Sequence, residues 1–216
     1  EDATYDGVWF KNKQNRLKEK EAAEKIAEKV RGGTGTVRKA EKKTATEKPP
    51  LLYDLTELQR NANAKYGFTA ERTLRAAQAL YEERKLITYP RTSSRYLSKD
   101  MVRTLKKRVE AAGALPDLAT FATELLALPK LSVNKRIVDD AKVTDHHAII
   151  PTTTAPRGDV APDERKIYDL VCRRLLEAWH EDHIWSVTTV ITAIRNEAII
   201  DRYHTSGSAV QQVGWK

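Results

Sequence analysis

Apolar positions recur at helical spacing through the middle of the chain, and alternating or β-branched positions dominate near its two ends. "DGVWF" reads as a short strand, and "LKEKEAAEKIAEKVRGG" as a charged helix stopped by Gly32 and Gly33. Thr34 to Lys48 is polar and tolerant of extended structure, and Pro49 and Pro50 mark a boundary. Thr56 with Gln59 has the spacing of a capping box opening "ELQRNANAKYG", which Gly67 closes. Thr69 caps a helix with Leu74, Ala77 and Tyr81 on one face. Ser98 is the expected cap of a helix carrying Met101, Leu105, Val109 and Ala112, with Gly113 after its end. Asp117 opens "LATFATELLAL", and "DERKIYDLVCRRLLEAWHED" is a long amphipathic helix. From Ile184 the pattern becomes extended, in "IWSVTTVITAI" and "AIIDRYHT", and Gly207 marks a turn region.

The pattern predicts a multi-domain α and β protein in which a mainly helical domain, residues 49–182, is inserted into a smaller β-rich domain. That second domain takes residues 1–48 and returns over 183–216. Neither flank alone has enough alternating strand for a stable sheet, so the two are expected to share one.

Composition narrows the class. With 216 residues, 40% hydrophobic and 31% charged, the chain has the make-up of a folded protein rather than a disordered tail. No apolar run approaches the roughly 18 residues of a membrane span and no signal peptide opens the chain, which predicts an aqueous, cytoplasmic setting. The single cysteine, Cys172, lies in an amphipathic stretch and reads as a buried hydrophobe. The one methionine is Met101, so the chain lacks an initiator and reads as a piece of something longer. The net charge of +8 favours an anionic partner. Residues 11–48 mix signs as a solvated helix face does, whereas residues 84–108 hold nine basic residues against one acid, Asp100.

That basic run surrounds "LITYPRTSSRYLS", residues 86–98. The residue before a proline is pushed toward extended geometry, where positions i and i+2 share a side, so Tyr89 and Arg91 face the same way. A phenol with a pKa of about 10 is a poor nucleophile at neutral pH, and a fixed cation favours its phenolate. Arginine also grips a phosphate through two hydrogen bonds and stabilises charge developing on its oxygens. Thr92, Ser93 and Ser94 offer neutral donors to phosphate oxygens. Taken alone, the stretch is better explained as a tyrosine packed at a helix end beside an exposed arginine. In "VTDHHAIIPT", residues 143–152, Asp145 could orient one imidazole toward a phosphate, but taken alone a plain hydrogen-bonded loop is the better account of His146 and His147. Adjacent histidines make a poor zinc site.

The two stretches together resemble the type IA DNA topoisomerases, most closely the topoisomerase III branch. The resemblance runs through "PPLLYDLTELQRNANAKYGFTAERTLRAAQALYEERKLITYPRTSSRYLS" and "DHHAIIPT". It implies the central-domain fold of that family, with the β-rich part forming an arch. It implies that Tyr89 is the nucleophile forming a 5′-phosphotyrosine link to single-stranded DNA, that Arg91 positions tyrosine and phosphate, and that His146 contacts a nearby phosphate. Lys85, Thr92, Ser93, Ser94, Arg95 and His147 are the accompanying DNA-binding candidates. Ser93 stands where the family usually has an aspartate.

The resemblance further implies Mg²⁺ held by an acidic N-terminal domain that this chain does not contain. Asp139 and Asp140 read as a loop, and no DxDxE arrangement occurs, so no metal ligands are assigned here. "GGTGT" lacks the lysine of a P-loop, so ATP is not expected. The expected partners are DNA, mainly single-stranded, and the rest of the parent chain, in a monomer associated with the nucleoid. Two other readings remain open: an inactive single-strand DNA binding module, and a scaffold whose basic face meets a protein.

Overall fold

The computed structural model describes residues 4–196 and 199–216 and divides into two compact units. One comprises Glu1–Glu47 with His183–Val213, the other Lys48–Asp182 with Gly214–Lys216. Among the described residues there are six α-helices and a four-stranded antiparallel sheet.

The sheet unit contains β1 (Val8–Phe10), α1 (Lys20–Val30), β2 (Gly35–Glu47), β3 (His183–Asn196) and β4 (Ile199–Gln212), in the order β1-β4-β3-β2. Both ends of the chain therefore build one sheet, with Val8 opposite His204 and Glu47 opposite His183. β2 pairs with β3 along nearly its whole length, interrupted by a bulge between Val37 and Lys39. On this edge strand Lys39 and Lys43 flank Glu41 at 3.0 and 3.1 Å and hold its carboxyl below its ordinary pKa. The apolar face of α1 borders an open groove that Ala23, Ile26 and Val30 line together with Trp9 and Tyr203 of the sheet. Asp201, 7% exposed, ties the layers together by accepting from the Trp9 indole N–H at 3.1 Å and pairing with Lys29 of α1. The expected turn at Gly207 is instead a mid-strand position of β4 opposite Thr188. Continuous pairing with β3 outweighs the local preference of glycine for turns.

The helical unit contains α2 (Leu55–Tyr66), α3 (Ala70–Glu82), α4 (Leu105–Gly113), α5 (Ala119–Ala127) and α6 (Pro162–Glu177). α2 starts two residues before the expected capping box. The Asp54 carboxylate accepts from the Glu57 N–H at 2.7 Å, because an extended residue with a short acceptor side chain caps better than Thr56, which lies within the first turn. Gly67 closes the helix at φ +67°, a left-handed conformation that suits glycine. Thr69 caps α3 through the Arg72 N–H, as its spacing predicts. Ser98 instead precedes a 3₁₀ segment, Lys99–Thr104, and the α-helix begins at Leu105. Gly113 is the last residue of α4 rather than a residue beyond it; a Cβ there would lie 2.6 Å from the Ala122 Cβ of α5, so its absence permits close helix approach. Asp117 sits within a 3₁₀ turn, Pro116–Leu118, ahead of α5.

The helical core is continuous from Leu58 and Leu80 through Val109 and Ile149 to Ile167 and Leu175. Cys172 lies fully inside it, and burial pushes its thiol pKa up. Arg174, 7% exposed, reaches the entry segment, donating to the Leu51 carbonyl at 3.0 Å, the Tyr53 hydroxyl at 3.1 Å and Asn61 at 3.2 Å, with Glu177 as its counter-ion.

Candidate active site

Two segments distant in sequence meet to form the site. After α3 the chain reverses at Lys85, whose φ of +56° is a left-handed conformation for a side-chain-bearing residue. Residues 86–88 then ladder against 148–152. The Thr88 N–H donates to the Ile150 carbonyl at 2.9 Å, the Thr152 N–H to the Leu86 carbonyl at 2.8 Å, and Ile87 bridges Pro151. Thr88 strengthens this ladder with its hydroxyl, which donates to the Ala148 carbonyl at 3.1 Å and accepts from the Ile150 N–H at 3.0 Å. The histidine segment is also tied by Ile149 N–H to Tyr53 and Ala148 N–H to Tyr96.

The ladder delivers Tyr89, half-buried, beside exposed His146. Their ring centroids are 4.3 Å apart at 43°. Tyr81 of α3 also meets the Tyr89 ring, near-perpendicular at 5.5 Å and 78°. Pro90 is buried and Arg91 exposed, so the guanidinium of Arg91 is open to an anionic ligand.

The expected phosphate donors divide sharply. Ser93 is exposed, but Thr92 and Ser94 are 6% and 3% exposed and their hydroxyls serve the protein itself. Thr92 donates to the His146 carbonyl at 3.0 Å and accepts from the Ser94 N–H, while Ser94 donates to the Lys142 carbonyl at 3.0 Å. They shape the loop that carries His146. Arg95 likewise faces inward, donating to the Leu52 and Leu51 carbonyls at 3.0 and 3.3 Å. Lys85 is exposed, with its ammonium 5.7 Å from the Tyr81 ring centroid.

The basic run 84–108 is similarly split. Arg84 pairs with Glu164, Lys99 with Asp140, Lys106 caps the end of α5 at the Leu128 carbonyl, and Arg108 donates to the Pro151 carbonyl at 2.6 Å. Lys85, Arg91, Arg103 and Lys107 are exposed and present charge to solvent.

His147 is oriented by the Ala148 carbonyl, to which Nδ1 lies at 2.8 Å, rather than by Asp145. A carbonyl only accepts, so Nδ1 carries the proton and Nε2 is the acceptor in the neutral ring. Burial lowers the His147 pKa, and the nearby Arg108 charge adds to the effect. Asp139 and Asp140 are loop acceptors for the Ala141 and Lys99 N–H groups. Among the described residues no group of three or more His, Cys, Asp or Glu side chains is arranged to hold a metal, so no residue here fits as a Mg²⁺ cage. Among them, too, no helix is long and apolar enough to cross a membrane.

Reading the sequence alone missed Thr88 and Tyr81. The signal for Thr88 was its place on the extended stretch directly before Tyr89. Tyr81 fitted the helix periodicity as a core residue, and nothing local revealed that it abuts the nucleophile candidate.

The family model described as DNA topoisomerase matches residues 1–216. DNA topoisomerase 3 of Bacillus cereus is 42% identical over 206 residues, covering 95% of this chain and 27% of the relative. DNA topoisomerase 3 of Bacillus subtilis is 39% identical over 209 residues, covering 95% of this chain and 28% of the relative. The chain thus spans little more than a quarter of the length of these relatives. Full-length topoisomerase I from Thermotoga maritima shares the fold at a TM-score of 0.62 and 20% identity, covering 95% of this chain and 32% of that one.

Proposed function

Because the chain belongs to the type IA DNA topoisomerases, in the topoisomerase III branch, we propose that it is the tyrosine-bearing portion of an enzyme that cuts and reseals single-stranded DNA through Tyr89. In this reading residues 49–182 are a helical domain inserted into a β-rich arch made by 1–48 and 183–216. The observation that carries it is the ladder between residues 86–88 and 148–152, which sets Tyr89 against His146, with the exposed Arg91 two residues along the chain.

The chemistry is transesterification. The Tyr89 Oη attacks the scissile phosphorus, a P–Oη bond forms and the P–O3′ bond breaks. The phenol proton leaves and the departing 3′ oxygen takes one up. Arg91 binds the non-bridging oxygens and stabilises their charge in the transition state. His146 contacts an adjacent phosphate and backs the tyrosine ring. The reverse attack by the 3′ hydroxyl restores the phosphodiester, so one ester replaces another and no ATP is consumed. Another strand passes through the protein-bridged gap before resealing, which changes DNA topology. No residue described here is assigned to Mg²⁺, which carboxylates in the rest of the enzyme would hold and which would supply charge neutralisation at the phosphate. Lys85, Arg91, Ser93 and the exposed cations Arg103 and Lys107 hold the DNA backbone. The protein acts as a monomer in the cytoplasm, on the nucleoid.

The test mixes 5′- and 3′-end-labelled single-stranded oligonucleotides with Mg²⁺ and either this chain or the full-length enzyme containing it. Expected on a denaturing gel is an adduct of the full-length enzyme that retains only the 3′ label and disappears in Tyr89→Phe. Strong DNA binding by the full-length enzyme without any adduct would overturn the reading in favour of an inert single-strand binding module.

A further inference from the structure

The Tyr89 ring has two aromatic neighbours of different mechanical character. His146 lies on an exposed loop. Tyr81 occupies the last turn of α3, a helix anchored by buried Thr73, Ala76, Ala77 and Leu80, and packs against the main core. Its near-perpendicular contact, 78° at 5.5 Å, is the favoured edge-to-face geometry of an aromatic pair. Just beyond α3 the chain turns through the left-handed Lys85, whose carbonyl accepts from the Thr152 hydroxyl at 2.8 Å. Side-chain-bearing residues hold such a conformation only where their surroundings fix it, and strained positions of this kind cluster at functional sites. The reversal at Lys85 brings the strand carrying Tyr89 back alongside Tyr81.

Resting on the assignment of Tyr89 as nucleophile, we infer that Tyr81 is a positioning residue that fixes the direction of the Tyr89 phenol. In-line displacement at phosphorus requires the attacking oxygen on the axis opposite the leaving oxygen, at about 3–3.5 Å, and small angular errors are costly. A ring braced on one side only by a loop imidazole sweeps a wider arc than one also braced by a helix-mounted ring. Cleavage and resealing share one transition state, so a brace acting there speeds both to the same extent and leaves their ratio unchanged. The Tyr81 hydroxyl is not needed for an edge contact; the ring is.

The experiment compares the full-length enzyme with its Tyr81→Phe, Tyr81→Leu, Tyr81→Met and Tyr89→Phe variants on a labelled single-stranded oligonucleotide with Mg²⁺. Single-turnover cleavage, resealing and the dissociation constant are measured separately. Expected are near-normal rates in Tyr81→Phe. In Tyr81→Leu and Tyr81→Met, cleavage and resealing should fall together by on the order of 10- to 100-fold, with the cleaved fraction at equilibrium and DNA affinity little changed. Met retains volume without a ring, so it serves where Leu disturbs folding. Normal rates in both ringless variants, a parallel loss of affinity, or a shifted cleaved fraction would overturn the inference while leaving Tyr89 as nucleophile. An adduct that survives Tyr89→Phe would overturn the underlying assignment and the inference with it.

Discussion

The imidazole of His146 and the phenol ring of Tyr89 are in contact, with centroids 4.3 Å apart, although one follows an extended stretch after α3 and the other lies in a loop well beyond α5. Neither segment could hold the other by the ring contact alone. The backbone ladder from Leu86 to Thr152 and the inward-facing hydroxyls of Thr92 and Ser94 fix the approach.

Arg91, two residues after Tyr89, is exposed. Arg91→Ala in the full-length enzyme should slow single-turnover cleavage by about 10²-fold, with a much smaller change in the dissociation constant for single-stranded DNA. Equal losses in both would make it a binding residue.

Thr88 should prove a stability residue as well as a site residue. Thr88→Val preserves shape but takes the hydroxyl acceptor from the Ile150 N–H and one of two side-chain donors from the Ala148 carbonyl, which keeps that of His147, costing about 1–3 kcal/mol in chemical denaturation. Thr88→Ser should recover most of that loss, and an unchanged midpoint in Thr88→Val would rule the clamp out.

Salt titrations of DNA binding should separate the two kinds of cation in the run 84–108. Lys107→Ala or Arg103→Ala, at exposed positions, should each reduce the slope of log affinity against log salt by about 1. Lys106→Ala removes a donor from the end of α5 and should lower thermal stability with the slope intact. Identical slopes in all three variants would contradict this division.

Acid should weaken the helical unit through His147. Its pKa lies below the ordinary value of 6.5 because burial opposes the charged ring, with Arg108 and His146 adding to that and the Ala148 carbonyl and Asp100 opposing it. The unfolded chain therefore takes up the proton first as pH falls. This contribution to stability is complete above about pH 6.5 and is lost as pH drops toward the lower folded value. His147→Gln should flatten that part of a denaturation-against-pH curve, and an unaltered curve would place the titration elsewhere.

Much of the architecture was legible because it rests on local signals. Thr69 and Gly67 end their helices as their chemistry requires, and the β-branched run from Ile184 forms the strand it resembles. Boundaries set by competition were less legible. Asp54 outcompetes Thr56 as a cap, the 3₁₀ segment displaces the helix start from Ser98, and Gly207 is recruited into a strand by a long partner. At the site, residue types revealed the chemistry of Tyr89, Arg91 and His146 but not the direction in which neighbouring side chains point. Thr92, Ser94 and Arg95 look like phosphate ligands in one dimension, and only the fold shows their donors engaged with internal carbonyls.

The sheet joins residues from opposite ends of the chain, with Val8 opposite His204 and Gly35 opposite Ile194. During synthesis β1 and β2 emerge long before β3 and β4 exist, while the intervening helices can already pack with neighbours close in sequence. β2 must therefore wait as an unpaired strand through the making of the helical unit. Its alternating Lys39, Glu41 and Lys43 give that waiting strand a charged flank, the feature by which exposed edges avoid pairing with the wrong chain. The charge pattern that guards the edge of the finished sheet thus guards the nascent strand as well.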